Sequence, residues 1–197
     1  MFWAGEEGGT AIAEVLFGDY SPGGRLPYTV YQSVQDIPPM KEYDITKGFT
    51  YMYFDGEPDW VFGHGLSYTT FDYSNLRVGG TLPGGPLSVT AEIRNSGKRP
   101  GDEVVQLYVR DVEASVKRPK KQLMAFERIS LRPGEARTIS FSVLPERLAF
   151  WDEKRKAWVV EPGAFEVLVG SSSADVRLKG EVRATTGRQW PAGETGS

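Results

Sequence analysis

Cysteine is absent from these 197 residues. Disulfides, thiolate metal sites and a cysteine nucleophile are therefore excluded. Histidine occurs once, at His64, so any Ser-His-Asp hydrolase or imidazole metal site has to be built on that one ring. No apolar run is long enough to span a bilayer. Lysine and arginine are spread among the acids, for a net charge of -3. Nucleic-acid and anionic-membrane surfaces need clustered basic residues, so neither partner is expected. Met1 to Glu7 carries neither a basic n-region nor an apolar h-region, so no signal peptide is read there. The compartment stays open between secreted, periplasmic and cytoplasmic.

What is plentiful is glycine (23 residues) together with aromatics (12%), a mix that suits short strands joined by tight turns. Residues 1–35 read as loop, helix, turn and strand. Ile12, Val15 and Leu16 share one helical face. Thr10 is the expected N-cap, and Gly18 is placed to take the left-handed position after the last turn. A strand is expected over 25–31. One helix and one strand cannot bury a core alone, so their apolar faces need further layers. Residues 36–70 read as a long irregular connector rich in aromatics, in which Phe49, Tyr51 and Tyr53 share a side if the chain is extended.

From residue 71 to 185 the pattern is all-β. Leu87, Val89, Ala91 and Ile93 alternate with polar residues, as do Val105, Leu107 and Val109, and Ile139, Phe141 and Val143. Period-two alternation predicts one buried and one wet face per strand. Pro133-Gly134 and Pro162-Gly163 predict type II turns. About seven short strands fit an immunoglobulin-like or fibronectin type III-like sandwich, and the missing cysteine pair favours the latter. Residues 186–197 are expected to be a loose tail. The fold class is thus mainly β: a fibronectin type III-like sandwich behind a short α/β fragment and an aromatic connector.

Candidate chemistry is sparse. Glu6-Glu7 is a carboxylate pair, but adjacent side chains point apart, and glycosidases need two acids facing each other about 5 Å apart or more across a sugar. Their plainer role is as anions ahead of a helix N-terminus. The glycine-rich Gly5 to Gly9 loop lacks the lysine and preceding strand of a phosphate cradle. His64 has Ser67, Asp55 and Asp59 nearby in sequence, yet no Gly-x-Ser-x-Gly elbow exists. Asp55, Glu57 and Asp59 do not match an EF-hand spacing. The basic run at 117–121 is expected to be a solvated loop. Tyr51, Tyr53 and Trp60 offer sugar-stacking rings or, equally, a packed seam. No metal site and no cofactor is read.

Several runs in order along the chain resemble glycoside hydrolase family 3. GEEGGTAIAEVLFGDYSPGGRLP at 5–27 is similar to the end of that family's α/β-sandwich domain. GFTYMYF at 48–54 and FGHGLSYTTF at 62–71 are similar to its connector, with His64 where Tyr is also common. NSG at 95–97, GDEVVQLYV at 101–109, LRPGE at 131–135 and VEPG at 160–163 are similar to its fibronectin type III-like domain. The resemblance implies a β-glucosidase or β-xylosidase with a retaining mechanism. It also implies that the nucleophilic Asp belongs to an N-terminal barrel domain and the acid/base Glu to the sandwich domain upstream of residue 5. No residue here matches either motif, so none is assigned a catalytic role. The candidates for substrate contact are Glu6, Glu7, Tyr51, Tyr53 and Trp60.

The expectation is therefore an accessory C-terminal part of a β-glycosidase, inactive alone, whose parent takes β-linked oligosaccharides or glycosides. The alternatives are an independent carbohydrate- or protein-binding module and a small esterase-like hydrolase built on His64. The orphaned helix and strand also lead us to expect a homo-oligomer formed through the N-terminal segment.

Overall fold

A computed structural model describes residues 5–193 of the chain. Its framework is an antiparallel β-sandwich. A three-stranded sheet has the order β1-β2-β5, from Phe71–Gly79, Leu87–Asn95 and Ala136–Val143. It faces a four-stranded sheet β4-β3-β8-β9, from Gln122–Leu131, Gly101–Asp111, Gly163–Gly170 and Val176–Ala184. A small third sheet, β10-β7-β6, joins Arg188–Pro191, Ala157–Val160 and Phe150–Asp152.

The core follows the alternation. Leu87, Val89, Ala91 and Ile93 of β2 are buried beside Ile139, Phe141 and Val143 of β5. They meet Val105, Leu107 and Val109 of β3 and Phe165, Val167 and Val169 of β8. Each such side chain larger than alanine, withdrawn from water, stabilises the fold by about 1.5–3 kcal/mol. Asn95 closes β2 at zero exposure with its amide fully used. It accepts from Thr69 Oγ1 (2.7 Å) and Gly97 N (3.0 Å), and donates to the Arg99 and Leu131 carbonyls (2.8 and 3.0 Å).

Several expectations change. The polar face of β3 is covered in its middle, where Gln106 and Tyr108 are as buried as Val105 and Leu107 because the connector lies on them, and stays open at Arg110. Residues 186–193 are not loose, since β10 pairs with β7 and Trp190 enters the core; residues 194–197 of that tail, like residues 1–4, lie outside the described part. Gly134 has the positive φ of 77° expected of its turn, with Glu135 N donating to Arg132 O at 2.9 Å. Gly163 instead opens β8, already paired with Ala184.

The N-terminal segment forms one real helix, α1 (Gly8–Phe17). It begins earlier than Thr10 suggested, with Glu7 as N-cap, because Ala11 N already reaches Glu7 O at 3.0 Å. Gly18 ends it at φ 84°, donating to the Glu14 and Val15 carbonyls. The expected strand at 25–31 is reduced to a ribbon against the connector. Leu26 N and Gly63 N exchange bonds with His64 O and Leu26 O at 2.8 Å, and Val30 bridges Trp60. No sheet neighbour is supplied to it among the described residues. The connector is shaped by a 3-10 turn at Val34–Asp36 and a single helical turn, α2 (Thr50–Tyr53), so Phe49, Tyr51 and Tyr53 do not line one extended side.

Candidate functional site

The place where sequence and structure concentrate their polar chemistry is the seam between residues 5–70 and the four-stranded sheet. Tyr51 lies on the outer face of that sheet. Its ring stacks on Phe62 with centroids 4.3 Å apart and meets the edge of Tyr108 at 5.9 Å. Its hydroxyl accepts from Leu123 N at 2.9 Å. Gln106 Nε2 donates to Gly63 O at 3.2 Å and to Ser171 O, and its Oε1 accepts from the Tyr108 hydroxyl. Burial pushes both tyrosine hydroxyls upward, so they stay protonated across the ordinary pH range. Gly63 sits at φ 80°, and a Cβ there would stand 2.1 Å from Gln106 Oε1. This explains the first glycine of the hinge: the backbone has to touch the sheet.

The basic run at 117–121 is a loop between β3 and β4 with Lys117 and Lys120 exposed, but its lysines are not free. Lys117 Nζ donates to Thr46 O, Lys120 Nζ to Phe54 O at 2.6 Å, and Lys121 Nζ to Ser173 O. Lys120 also pairs with Asp55 at 2.6 Å. Three lysines thus tie the connector and a neighbouring loop down through carbonyls that no strand partner satisfies.

The strongest single link is ionic. Arg25 Nη2 lies 2.6 Å from Glu103 Oε1, with the side chains only 9% and 6% exposed. Glu103 Oε1 also accepts from Val104 N at 2.7 Å. Burial raises the Glu103 carboxyl above its ordinary value, and Arg25 pulls it back only in part. Gly65 makes room for the pair, since a Cβ would fall 2.3 Å from Gly24 O and 2.6 Å from the Arg25 side chain.

The five candidate contacts separate into two kinds. Tyr51 and Tyr53 are packing residues of the seam, Tyr53 being 8% exposed with Lys117 5.7 Å over its ring. Trp60 is 49% exposed, resting on His64 at 4.7 Å. Glu6 and Glu7 are exposed ahead of α1. Among the described residues they make no side-chain hydrogen bond or ion pair. His64 Nε2 is buried with no hydrogen-bond partner, and Ser67 Oγ bonds Ser21 instead, so no nucleophile–base pair forms. No three potential metal ligands gather among the described residues, and no described helix is long and apolar enough to cross a membrane. Arg25, Glu103 and Gln106 were not singled out from the sequence. The available signal was a glutamate and a glutamine within the apolar run of β3.

Comparison with known proteins fits this division. Residues 1–68 match the glycosyl hydrolase family 3 C-terminal domain, and residues 103–173 match the fibronectin type III-like domain. The chain belongs to glycoside hydrolase family 3. It corresponds to C-terminal domains of that family: the end of the α/β-sandwich domain and the fibronectin type III-like sandwich. It is 43% identical over 189 residues to a periplasmic beta-glucosidase of Salmonella typhimurium, covering 89% of this chain and 25% of that protein. It is 40% identical to a xylan 1,4-beta-xylosidase of Xylanibacter ruminicola, covering 90% of this chain and 20% of that one. The structure of beta-glucosidase 3B from Thermotoga neapolitana in complex with glucose superposes with a TM-score of 0.87 at 35% identity, covering 94% of this chain and 28% of that one. The chain thus spans about a quarter of the length of the relatives it matches.

Proposed function

We propose that this family 3 chain works as the accessory C-terminal part of a retaining β-glycosidase acting on terminal β-linked glucose or xylose, with the acid and nucleophile supplied by other polypeptide. One observation carries this. Thirteen large apolar side chains exposed to solvent lie between Ile12 and Tyr68, against four (Val112, Val116, Phe126 and Leu144) in all the described chain beyond. Ile12, Leu16 and Phe17 of α1 are 44%, 73% and 84% exposed. Such a face is fitted to pack under further layers of an α/β domain. The sandwich, through the Arg25–Glu103 link and the lysine ties, holds that face in place. Of the candidate contacts, Glu6, Glu7 and Trp60 are the ones open enough to reach a substrate.

The test has two arms. The isolated chain is expected to leave nitrophenyl β-glucoside and β-xyloside intact. Mixed with a family 3 relative truncated at the start of the matching region, it is expected to restore turnover. Turnover by the purified chain alone would overturn the proposal. The same exposed face supports a second reading, self-association through the N-terminal segment. Light scattering that gives a monomer at every concentration would remove it.

A further inference from the structure

A groove of about 860 Å3 opens between residues 18–21, just after α1, and the β3, β4 and β5 ends of the sandwich. Small-ligand pockets commonly span about 300–1,000 Å3. The walls are tied together. Arg128 Nη2 donates to the Tyr20 hydroxyl at 2.9 Å and Arg128 Nε to Asp102 Oδ2 at 3.0 Å, and Ser130 Oγ donates to Asp102 Oδ1. Arg99 Nη1 crosses to Gly18 O at 3.2 Å. A groove held open by such bonds spends little ordering entropy on a ligand.

Its charges are uneven in availability. Arg99, Arg132 and Arg137 line it, as do Asp19, Asp102 and Glu135. Asp102 is already occupied by Arg128 and Ser130. Glu135 accepts from Arg132 N at 2.9 Å and lies 3.8 Å from Arg137. Among the described residues the Arg132 guanidinium makes no hydrogen bond or ion pair, and neither does the Asp19 carboxylate. The lining carries three guanidiniums and three carboxylates, and Arg132 is the cation of the three that, among the described residues, holds neither an anion nor a carbonyl. Tyr20, 45% exposed, adds an aromatic face beside the Ser21 hydroxyl, which is bonded to Ser67 Oγ and Tyr68 N, and the Ser130 hydroxyl, which donates to Asp102 and so offers a ligand acceptor lone pairs only. An aromatic face next to hydroxyls suits a pyranose ring, and a spare guanidinium suits a carboxylate.

We propose that this groove binds a carboxylate-bearing sugar, a uronic acid residue, with its carboxylate on Arg132 and its ring along Tyr20. The proposal goes beyond the accessory role and does not depend on it, because the test reads binding to the chain rather than turnover. Amide spectra of the labelled chain are recorded while glucuronic acid, glucose or inorganic phosphate is added. Glucuronic acid is expected to shift Asp19, Gly101 and Arg132 to saturation, glucose to leave them in place, and phosphate to act far more weakly. Arg132→Ala and Arg137→Ala lie on exposed turn and strand positions, and the first is expected to weaken glucuronate about tenfold. Equal saturation by phosphate would assign the groove to oxyanions at large and overturn the sugar. Equal saturation by glucose would overturn the part given to the guanidiniums. No saturable shift, or unchanged binding in both variants, overturns the site.

Discussion

Residues 71–193 contribute every buried large hydrophobic side chain but one, whereas residues 5–70 contribute only Tyr53. The sandwich stabilises itself by area. The N-terminal segment is fixed by directed contacts: one buried ion pair, two lysines (Lys117 and Lys120) on its carbonyls, and two glycines that let backbone touch side chain. The difference teaches what each part supplies. Apolar area gives free energy without direction, and hydrogen bonds with close approaches give position with little net free energy. A segment held by position rather than area is a segment presented to something else.

Breaking the link should show this first. Arg25→Ala leaves Glu103 buried and uncompensated, which is expected to cost about 3–5 kcal/mol. Hydrogen exchange should locate the loss in residues 18–30 and 60–68 before the core of β3. Uniform loss across both parts would mean that they unfold as one unit. In the sandwich, Leu107→Ala removes a fully buried side chain and is expected to cost about 2–5 kcal/mol. Denaturant titration checks it, and here exchange should rise in every core strand together.

The two parts also differ in how legible they were. β2 was readable because the rule that makes its alternation, one face in and one face out, is local. β3 obeys the same pleat, but its polar face is covered by Tyr51, Phe62 and Gly63, which come from the distant connector, and no local pattern reports that cover. The tail failed for the same reason, since Trp190 finds its place only once β7 exists to pair with β10. In the candidate site, Tyr51 and Trp60 look alike as aromatics of one connector. Tertiary packing makes the first a seam residue and leaves the second half open. The pairing of Arg25 with Glu103 spans 78 positions and no spacing rule reaches it. Motif resemblance carried the family because it records such long-range pairings without explaining them.

Acid acts with opposite signs on the link between the parts and on the sandwich itself. Glu103 has a raised folded value, so its contribution to stability is greatest below the ordinary glutamate value and declines as pH rises through the folded one. Asp175, on the loop between β8 and β9, is lowered by its hydrogen bonds to Arg177 and then Ser171. Its contribution is present above the ordinary aspartate value and declines as pH falls through the folded one. From about pH 4 upward through the folded value, the stability of the natural chain relative to Glu103→Gln should therefore fall as pH rises. Relative to Asp175→Asn, it should fall as pH drops below about 4. Denaturant midpoints for the three proteins over that range check both slopes. Parallel curves would mean that neither carboxylate differs between folded and unfolded chain.

The smallest effect is the most pointed. Leu16 and Phe17 are the most exposed apolar side chains of α1, so replacing both by Ser removes little buried area. It should change the stability of the isolated chain by no more than about 0.5 kcal/mol per site. If the face exists to be covered, the same double change should abolish restoration of turnover by the truncated relative, and any self-association, while leaving the denaturation curve of the chain alone. Loss of stability without loss of either function would mean that α1 packs on its own sandwich in solution. The contrast between a closed part and a presenting part would then have to be given up.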